Sequence, residues 1–519
     1  MSCPAPTAVY QSDNIADVSH FLKLAANHLM KRFVRSLIMR RIVLLFLAFV
    51  IRDSCRATIT PQVDKRVEIM SIVARLAGYD EYNDNAAAEY AAAIKAYFDR
   101  YTTDSLIRFA KEIRGQSGIS FDAVMSMAVN LEQKGRRFSL QSNWQEDLDP
   151  RWTAGTAKRF VVLLGKFYSH SHADDFFKQQ APYYEKATKA FAEVLNGFNQ
   201  SWYFSYYGVK PRDEFNVVIS CANGGSNYGP SVTNRDGSKK VFAIMGSWSF
   251  DAKQDPVFPQ DAYLPTLIHE FNHSFINPSI EALTGNISLH NSMQILLDTM
   301  QTEMTSQAYK KWETVLIESL VRASVIRYMM TQKSTPVENT ENEMMDQLNR
   351  GFLWTRDLVA LLGVYESDRS KYPAFTDFYP VIIDFFRRTA TNISQIKADH
   401  EMKLPKVVSI EPIGNNTESV DTSITQLIIR FNGPMIGKGY SFTTGQLGKE
   451  ADPVVGVVGY NNENTALRVN VKLKPGKEYE MVLTGRSFIN TRGYRLKQYV
   501  IRFKTAGSDT VNNTRSNVQ

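Results

Sequence analysis

Asp261-Ala262-Tyr263-Leu264-Pro265-Thr266-Leu267-Ile268-His269-Glu270-Phe271-Asn272-His273-Ser274-Phe275-Ile276-Asn277 is the segment from which the rest of this 519-residue chain is read. Leu264, Leu267, Ile268, Phe271 and Phe275 recur at three- and four-residue spacing, which predicts a helix with one buried stripe. Asp261 reads as its N-cap, Pro265 as a first-turn residue and Pro278 as its stop. His269 and His273 stand four apart, so both project from one face about one turn from each other. Two imidazoles so placed can grip a single tetrahedral zinc ion. Glu270 lies one residue round, too offset to be a natural ligand but placed to take a proton from water beside the ion.

A zinc site of this kind needs a third protein ligand. No further histidine follows within ten residues of His273, which argues against a compact three-histidine site. Glu281, His290, Glu303, Glu313 and Glu318 are the candidates. Glu318 is favoured because it sits among apolar neighbours in Trp312-Glu313-Thr314-Val315-Leu316-Ile317-Glu318-Ser319-Leu320-Val321-Arg322-Ala323, where a carboxylate is costly without a cation. Arg322, one turn on, either neutralises Glu318 outright or steers it toward a metal.

The combination resembles the gluzincin branch of zinc metallopeptidases, whose third ligand is a Glu on a downstream helix. The segment His269–Pro278, the Asn-Tyr-Gly-Pro at 227–230 and the run Glu318–Ala323 are similar to an uncharacterised family of exported, zincin-like bacterial proteins. The likeness spans about residues 60–400. It departs from thermolysin-like enzymes in carrying Arg322 where those place an Asp that orients a histidine. The resemblance implies a zincin-like fold, one zinc ion, a peptide or protein substrate and Glu270 as general base. It also implies an oxyanion donor. Tyr379, in Asp377-Phe378-Tyr379-Pro380, is the candidate phenol, although among 24 tyrosines packing is the commoner role. Asn227, Tyr228 and Gly246 are candidate substrate contacts. Gly246 ends the run from Val241, read either as an edge strand on which an extended peptide pairs or as an ordinary structural strand.

The formal charge of +7 does not make a nucleic-acid footprint. Residues 1–57 carry eight Lys/Arg against three Asp/Glu, and the remainder is balanced at 52 against 50. The leader itself reads as an export signal, with Arg40-Arg41 before the apolar run Ile42–Ile51 and Cys55-Arg56-Ala57 as cleavage site. A start at Met30 or Met39 would give it ordinary length. Ten apolar residues are short for a membrane span, and Arg52 and Asp53 disfavour a lipid anchor on Cys55. Cleavage after Ala57 leaves Cys221 alone, so metal chemistry rests on His and carboxylate.

Residues 61 to about 200 carry helical periodicity, including Phe121–Leu131. Short strands are expected at Phe215–Ser220 and Val241–Met245, separated by the loop Asn223-Gly224-Gly225-Ser226-Asn227-Tyr228-Gly229-Pro230. Helical spacing returns over 262–277, 291–308, 312–330, 343–362 and 378–398. From Pro405 the pattern alternates at strand spacing, for example Ile424–Phe431 and Tyr499–Lys504, with turns such as Lys474-Pro475-Gly476. This part resembles bacterial immunoglobulin-like domains in Phe431-Asn432-Gly433-Pro434-Met435 and Leu473-Lys474-Pro475-Gly476-Lys477-Glu478-Tyr479. The expectation is an α+β chain: leader 1–57, a largely helical zincin-like catalytic domain 58–402, an all-β Ig-like sandwich 405–506 and a disordered tail 507–519. It would act as an exported zinc peptidase, periplasmic, cell-surface or secreted, with no stable membrane span. The alternatives are a zinc-containing surface binding protein without turnover and a zinc hydrolase of a non-peptide substrate.

Overall fold

In the computed structural model, residues 59–83, 86–208, 213–332 and 335–507 are described. The leader, with Met30, Met39 and Cys55, and the tail beyond Gly507 lie outside them. Among the described residues, helices dominate up to Glu401 and strands from Val407 onward, so the chain is α+β with a helical N-terminal and a β-rich C-terminal part.

The first helices are α1 (Lys65–Leu76), α2 (Ala88–Phe98), α3 (Ser105–Ser117) and α4 (Asp122–Asn130). Asp64 caps α1 by accepting from the Arg66 amide at 2.8 Å, and Asp104 caps α3 by accepting from Leu106 at 2.7 Å. The helical reading of Phe121–Leu131 needs correction at its end. The chain leaves α4 at Leu131 and forms a hairpin of β1 (Leu131–Lys134) and β2 (Arg137–Leu140), turned by Gly135 at φ 61. Four more helices follow: α5 (Trp144–Asp147), α6 (Ala154–His170), α7 (Ala173–Ala192) and α8 (Gln200–Tyr207).

A three-stranded sheet then forms from β3 (Glu214–Ser220), β4 (Ser231–Thr233) and β5 (Lys239–Gly246), in the order β3-β5-β4. β3 runs parallel to β5 over their whole length, while β4 is antiparallel to it. The edge-strand reading of Val241–Gly246 is therefore corrected, because β5 is the central strand. Tyr228 closes its remaining side, with its amide donating to Ile244 O at 3.0 Å and its carbonyl accepting from Ile244 N at 2.8 Å.

α9 (Gln260–Glu281) carries the histidine pair. It starts one residue before Asp261, which sits in the first turn rather than at the cap, and both Pro265 and Pro278 lie inside it. Pro278 does not stop the helix. A proline forfeits only its own amide bond, and burial of Ile276 and Ile280, 0% and 2% exposed, holds the last turn. Phe271 is the centre of its buried face, with rings of Phe215 at 4.8 Å, Phe198 at 5.3 Å and Tyr203 at 6.0 Å. Asn272, fully buried, ties three helices. Its Oδ1 accepts from Tyr207 of α8 at 2.9 Å, and its amide donates to Val321 O at 3.4 Å.

Val321 belongs to α12 (Trp312–Thr331), reached through α10 (Ile287–Thr299) and α11 (Gln301–Ser306), and followed by α13 (Val337–Asn349), α14 (Thr355–Ser367) and α15 (Tyr379–Glu401). The periodic segment 343–362 is thus two helices. Gly351, at φ 97 and pressed against Glu303, sits in the break between them.

Beyond Leu404 two four-stranded sheets enclose one apolar core. One has the order β10 (Val454–Tyr460), β11 (Ala466–Val471), β8 (Gln426–Phe431), β6 (Val407–Glu411). The other is β7 (Thr417–Val420), β13 (Tyr499–Thr505), β12 (Glu478–Leu483), β9 (Phe442–Thr443). Leu427, Ile429, Leu467 and Val469 from the first meet Tyr479, Met481, Ile501 and Phe503 from the second. This part docks on α13, where Asn349 donates to Gly493 O at 2.9 Å and Arg495 pairs with Asp346 at 3.1 Å.

Truncating Phe271 should be costly because three aromatic neighbours cannot close the void. Phe271→Ala is expected to lose about 3–5 kcal/mol in denaturant unfolding, and a loss of under about 1 kcal/mol would contradict the packing described.

Candidate metal centre

The packing of α9 on α12 brings three of the sequence candidates together. Nε2 of His269 and Nε2 of His273 are 3.1 Å apart, and the Glu318 carboxylate lies 3.7 Å from the first and 3.5 Å from the second. Among the described residues, His269, His273 and Glu318 are the group able to hold a metal ion. Their separations match the roughly 3.3 Å edge that a tetrahedral ion with bonds of about 2.0–2.2 Å imposes on its donors. Two imidazole lone pairs at 3.1 Å repel unless a proton or cation lies between them, so the donor set fits a divalent ion.

Two of the three donors are held from behind. Nδ1 of His273 donates to Asn277 Oδ1 at 3.0 Å, which leaves Nε2 as a bare lone pair facing the cluster. Burial lowers the proton affinity of His269 well below the imidazole norm, against the opposing pull of Glu318, so it is neutral as a ligand must be. Glu318 is 7% exposed. Burial alone would raise its carboxyl, but Arg322, the two imidazoles and Tyr309 outweigh burial and bring it down to about 2.

All three nitrogens of Arg322 donate. Its Nε donates to Glu318 Oε2 at 2.9 Å, one terminal nitrogen to Gln347 Oε1 at 2.8 Å and the other to the Tyr309 hydroxyl at 2.9 Å, and it lies 5.0 Å over the Phe352 ring. The Arg322–Glu318 contact is the one common to both roles read for Arg322, neutralising the carboxylate and steering it. Glu270, 6% exposed, has its proton affinity raised well above the carboxylate range by burial and by the charge of Glu318.

The other candidates lie elsewhere. His290 stacks on Trp312 at 5.2 Å, and Glu303 and Glu313 are not in the group. The side chain of Glu281 is outside what is described. Tyr379 donates to Ser279, six residues beyond His273 and thus about 9 Å further along the helix axis. The phenol hydrogen-bonded to Glu318 and Arg322 is Tyr309. Asn227, Tyr228 and Gly246 come together in a structural tie, with the Gly246 amide donating to Asn227 Oδ1 at 2.9 Å and Tyr228 stacked on Tyr82 at 6.3 Å. The same loop reaches the site by its backbone. A Cβ on Gly229 would overlap the Glu270 carbonyl oxygen, and Ser274 donates to Gly229 O at 3.2 Å.

Sequence reasoning missed Asn277, Gln347 and Tyr309. Asn277 was legible as the i+4 neighbour of His273. Gln347 and Tyr309 reach the site from separate elements and carry no local signal.

The chain belongs to the DUF4932 family, a domain of unknown function, whose profile matches residues 59–385. No curated protein matches it. Two solved structures illustrate the resemblances found. CopC from Methylosinus trichosporium OB3b is 19% identical and covers 20% of this chain and 95% of its own, with a TM-score of 0.17. The N-terminal part of the bacterial S-layer protein SbsC is 14% identical and covers 48% of this chain and 64% of its own, with a TM-score of 0.15. Scores this low carry no argument about fold or function. Among the described residues, no helix is long and apolar enough to cross a membrane.

Removing the groups behind the donors should loosen the site without removing a ligand. Asn277→Ala and Arg322→Met are each expected to weaken divalent-ion binding about 10–100-fold in chelator competition. Unchanged affinity in both would mean that neither positions the donor it touches.

Proposed function

We propose that this protein is an exported zinc-dependent hydrolase of peptide bonds, gluzincin-like in its helical part, with an immunoglobulin-like spacer at its C-terminus. The reading is carried by one observation: two imidazoles and a carboxylate within 3.1–3.7 Å, with a second, buried carboxylate next to them in sequence. Two nitrogen donors and one oxygen donor form a borderline set that suits zinc, and three protein ligands leave a coordination position open. Zinc bound there would polarise a substrate carbonyl and acidify water.

The remaining steps belong to side chains. Glu270, buried beside the donor set, accepts a proton from the attacking water and delivers it to the leaving amine. A metal held only for structure has no use for such a group. Glu318 stays anionic because Arg322 holds one of its oxygens, which keeps charge on the ligand side of the site. The Tyr309 hydroxyl, pushed up to about 12 by burial and Glu318, remains protonated and is the phenol beside the site, with its O–H engaged by Glu318. Export rests on the leader sequence at 1–57, and a peptide substrate on the resemblance of the zinc helix to metallopeptidases.

A peptide-library cleavage assay with parallel zinc analysis tests the reading. His269→Ala should lose bound zinc, and Glu318→Gln should bind it much more weakly. Glu270→Ala should keep zinc while cleavage falls by about 10²–10⁴-fold or more. Wild-type protein that holds zinc yet cleaves no peptide would rule out the peptidase reading in favour of binding or another substrate.

A further inference from the structure

Glu68 lies on α1, is 0% exposed and takes no part in the metal cluster. Its Oε1 accepts from the Cys221 amide at 2.7 Å, the Ser220 hydroxyl at 3.1 Å and the Ala222 amide at 3.4 Å. Its Oε2 accepts from the Tyr90 hydroxyl at 2.6 Å, and that hydroxyl is 2.7 Å from the Tyr184 hydroxyl. A carboxyl group taken wholly out of water persists only where hydrogen-bond partners satisfy it, and these partners are not scattered. The two amides are the point where β3 hands over to the loop 221–230. The far end of that loop is Gly229, seated without clearance on the backbone of Glu270. Between the ends, the loop is sewn to β5 and its continuation by the Gly246 and Ser247 amides and by Tyr228.

We propose that Glu68 is a positioning residue: by clamping the amides of Cys221 and Ala222 it fixes the 221–230 loop, and through Gly229 it sets how the α9 backbone presents Glu270 to the metal site. The functional half of this rests on Glu270 acting as the base. The groups facing Glu68 are Tyr90 from α2, Tyr183 and Tyr184 from α7, and Cys221 at the end of β3; none of these is a cation. Burial accordingly raises the Glu68 carboxyl to about 7, against the opposing pull of its hydrogen bonds. Opening the loop admits water and returns the group toward its ordinary value. The closed form therefore holds more protons between pH 4.5 and about 7. Raising the pH through that window favours opening, and the clamp is tightest on the acid side.

The test is hydrogen exchange of the 221–230 amides in the zinc-loaded, full-length protein from about pH 5.5 to about pH 8.5, corrected for intrinsic rates. Wild type should lose about tenfold or more in protection across that range. Glu68→Gln keeps the shape and its Oε1 acceptor, with the Tyr90 hydroxyl turned to accept from the new amide, so its protection should not vary with pH. Glu68→Ala should exchange faster at every pH. It should also lower kcat on a quenched fluorescent peptide by about tenfold, with KM and zinc affinity changed by less than about twofold. Equal protection of 221–230 in Glu68→Ala and wild type overturns the clamp, and so does a pH dependence that survives in Glu68→Gln. If Glu68→Ala does not fold, the comparison of Glu68→Gln with wild type decides alone. Wild-type protein that cleaves nothing would sink the peptidase reading, while the exchange pattern would still decide the clamp.

Discussion

A carboxylate buried between two helices is the constraint on which the centre of this molecule depends. Glu318 is 7% exposed and ionised, and such a charge is tolerated only where the surroundings return what water would have given. Arg322 returns part of it from the same helix, one turn on. That guanidinium is buried in its turn, so it must place its own donors, and it does so on Gln347 of α13 and on Tyr309 before α12. The imidazoles of α9 face the carboxylate on the open side, where a cation among the three donors would complete its neutralisation. Four separate parts of the chain are thus committed to one position by the solvation of a single side chain.

Holding α9 against α12 at the right rotation is a second requirement, because a helix turned by one residue would aim Glu270 where His269 now points. Asn272 does much of this. A fully buried amide with partners on α8 and α12 accepts few other placements of the helix. The aromatic face around Phe271 supplies the adhesion, while the hydrogen bonds of Asn272 select the register. On the opposite flank the 221–230 loop closes the exposed side of β5 and brings Gly229 onto the helix backbone. The small sheet thereby serves as a brace for the helix that bears the site, and β5 is not free to take up a peptide strand.

The amino-acid sequence by itself determined the helix of His269 and His273, since periodicity and i+4 spacing are local properties that any folded context must respect. It also carried the change from helical to strand texture near Pro405, and it singled out Glu318 because an acid among apolar neighbours is anomalous wherever the helix packs. It misjudged the ends and edges. Pro278 is an interior residue because packing of Ile276 and Ile280 outweighs one lost hydrogen bond, and β5 is central because β4 and Tyr228 fold back on it. Tyr309, Gln347 and the Glu68 clamp were decided by tertiary structure alone. Each joins residues remote in sequence, 22 to 154 positions apart where Glu68 is concerned, and no local pattern encodes which distant donor will satisfy a buried charge. That choice is made by the solvation of the charge once the elements have packed.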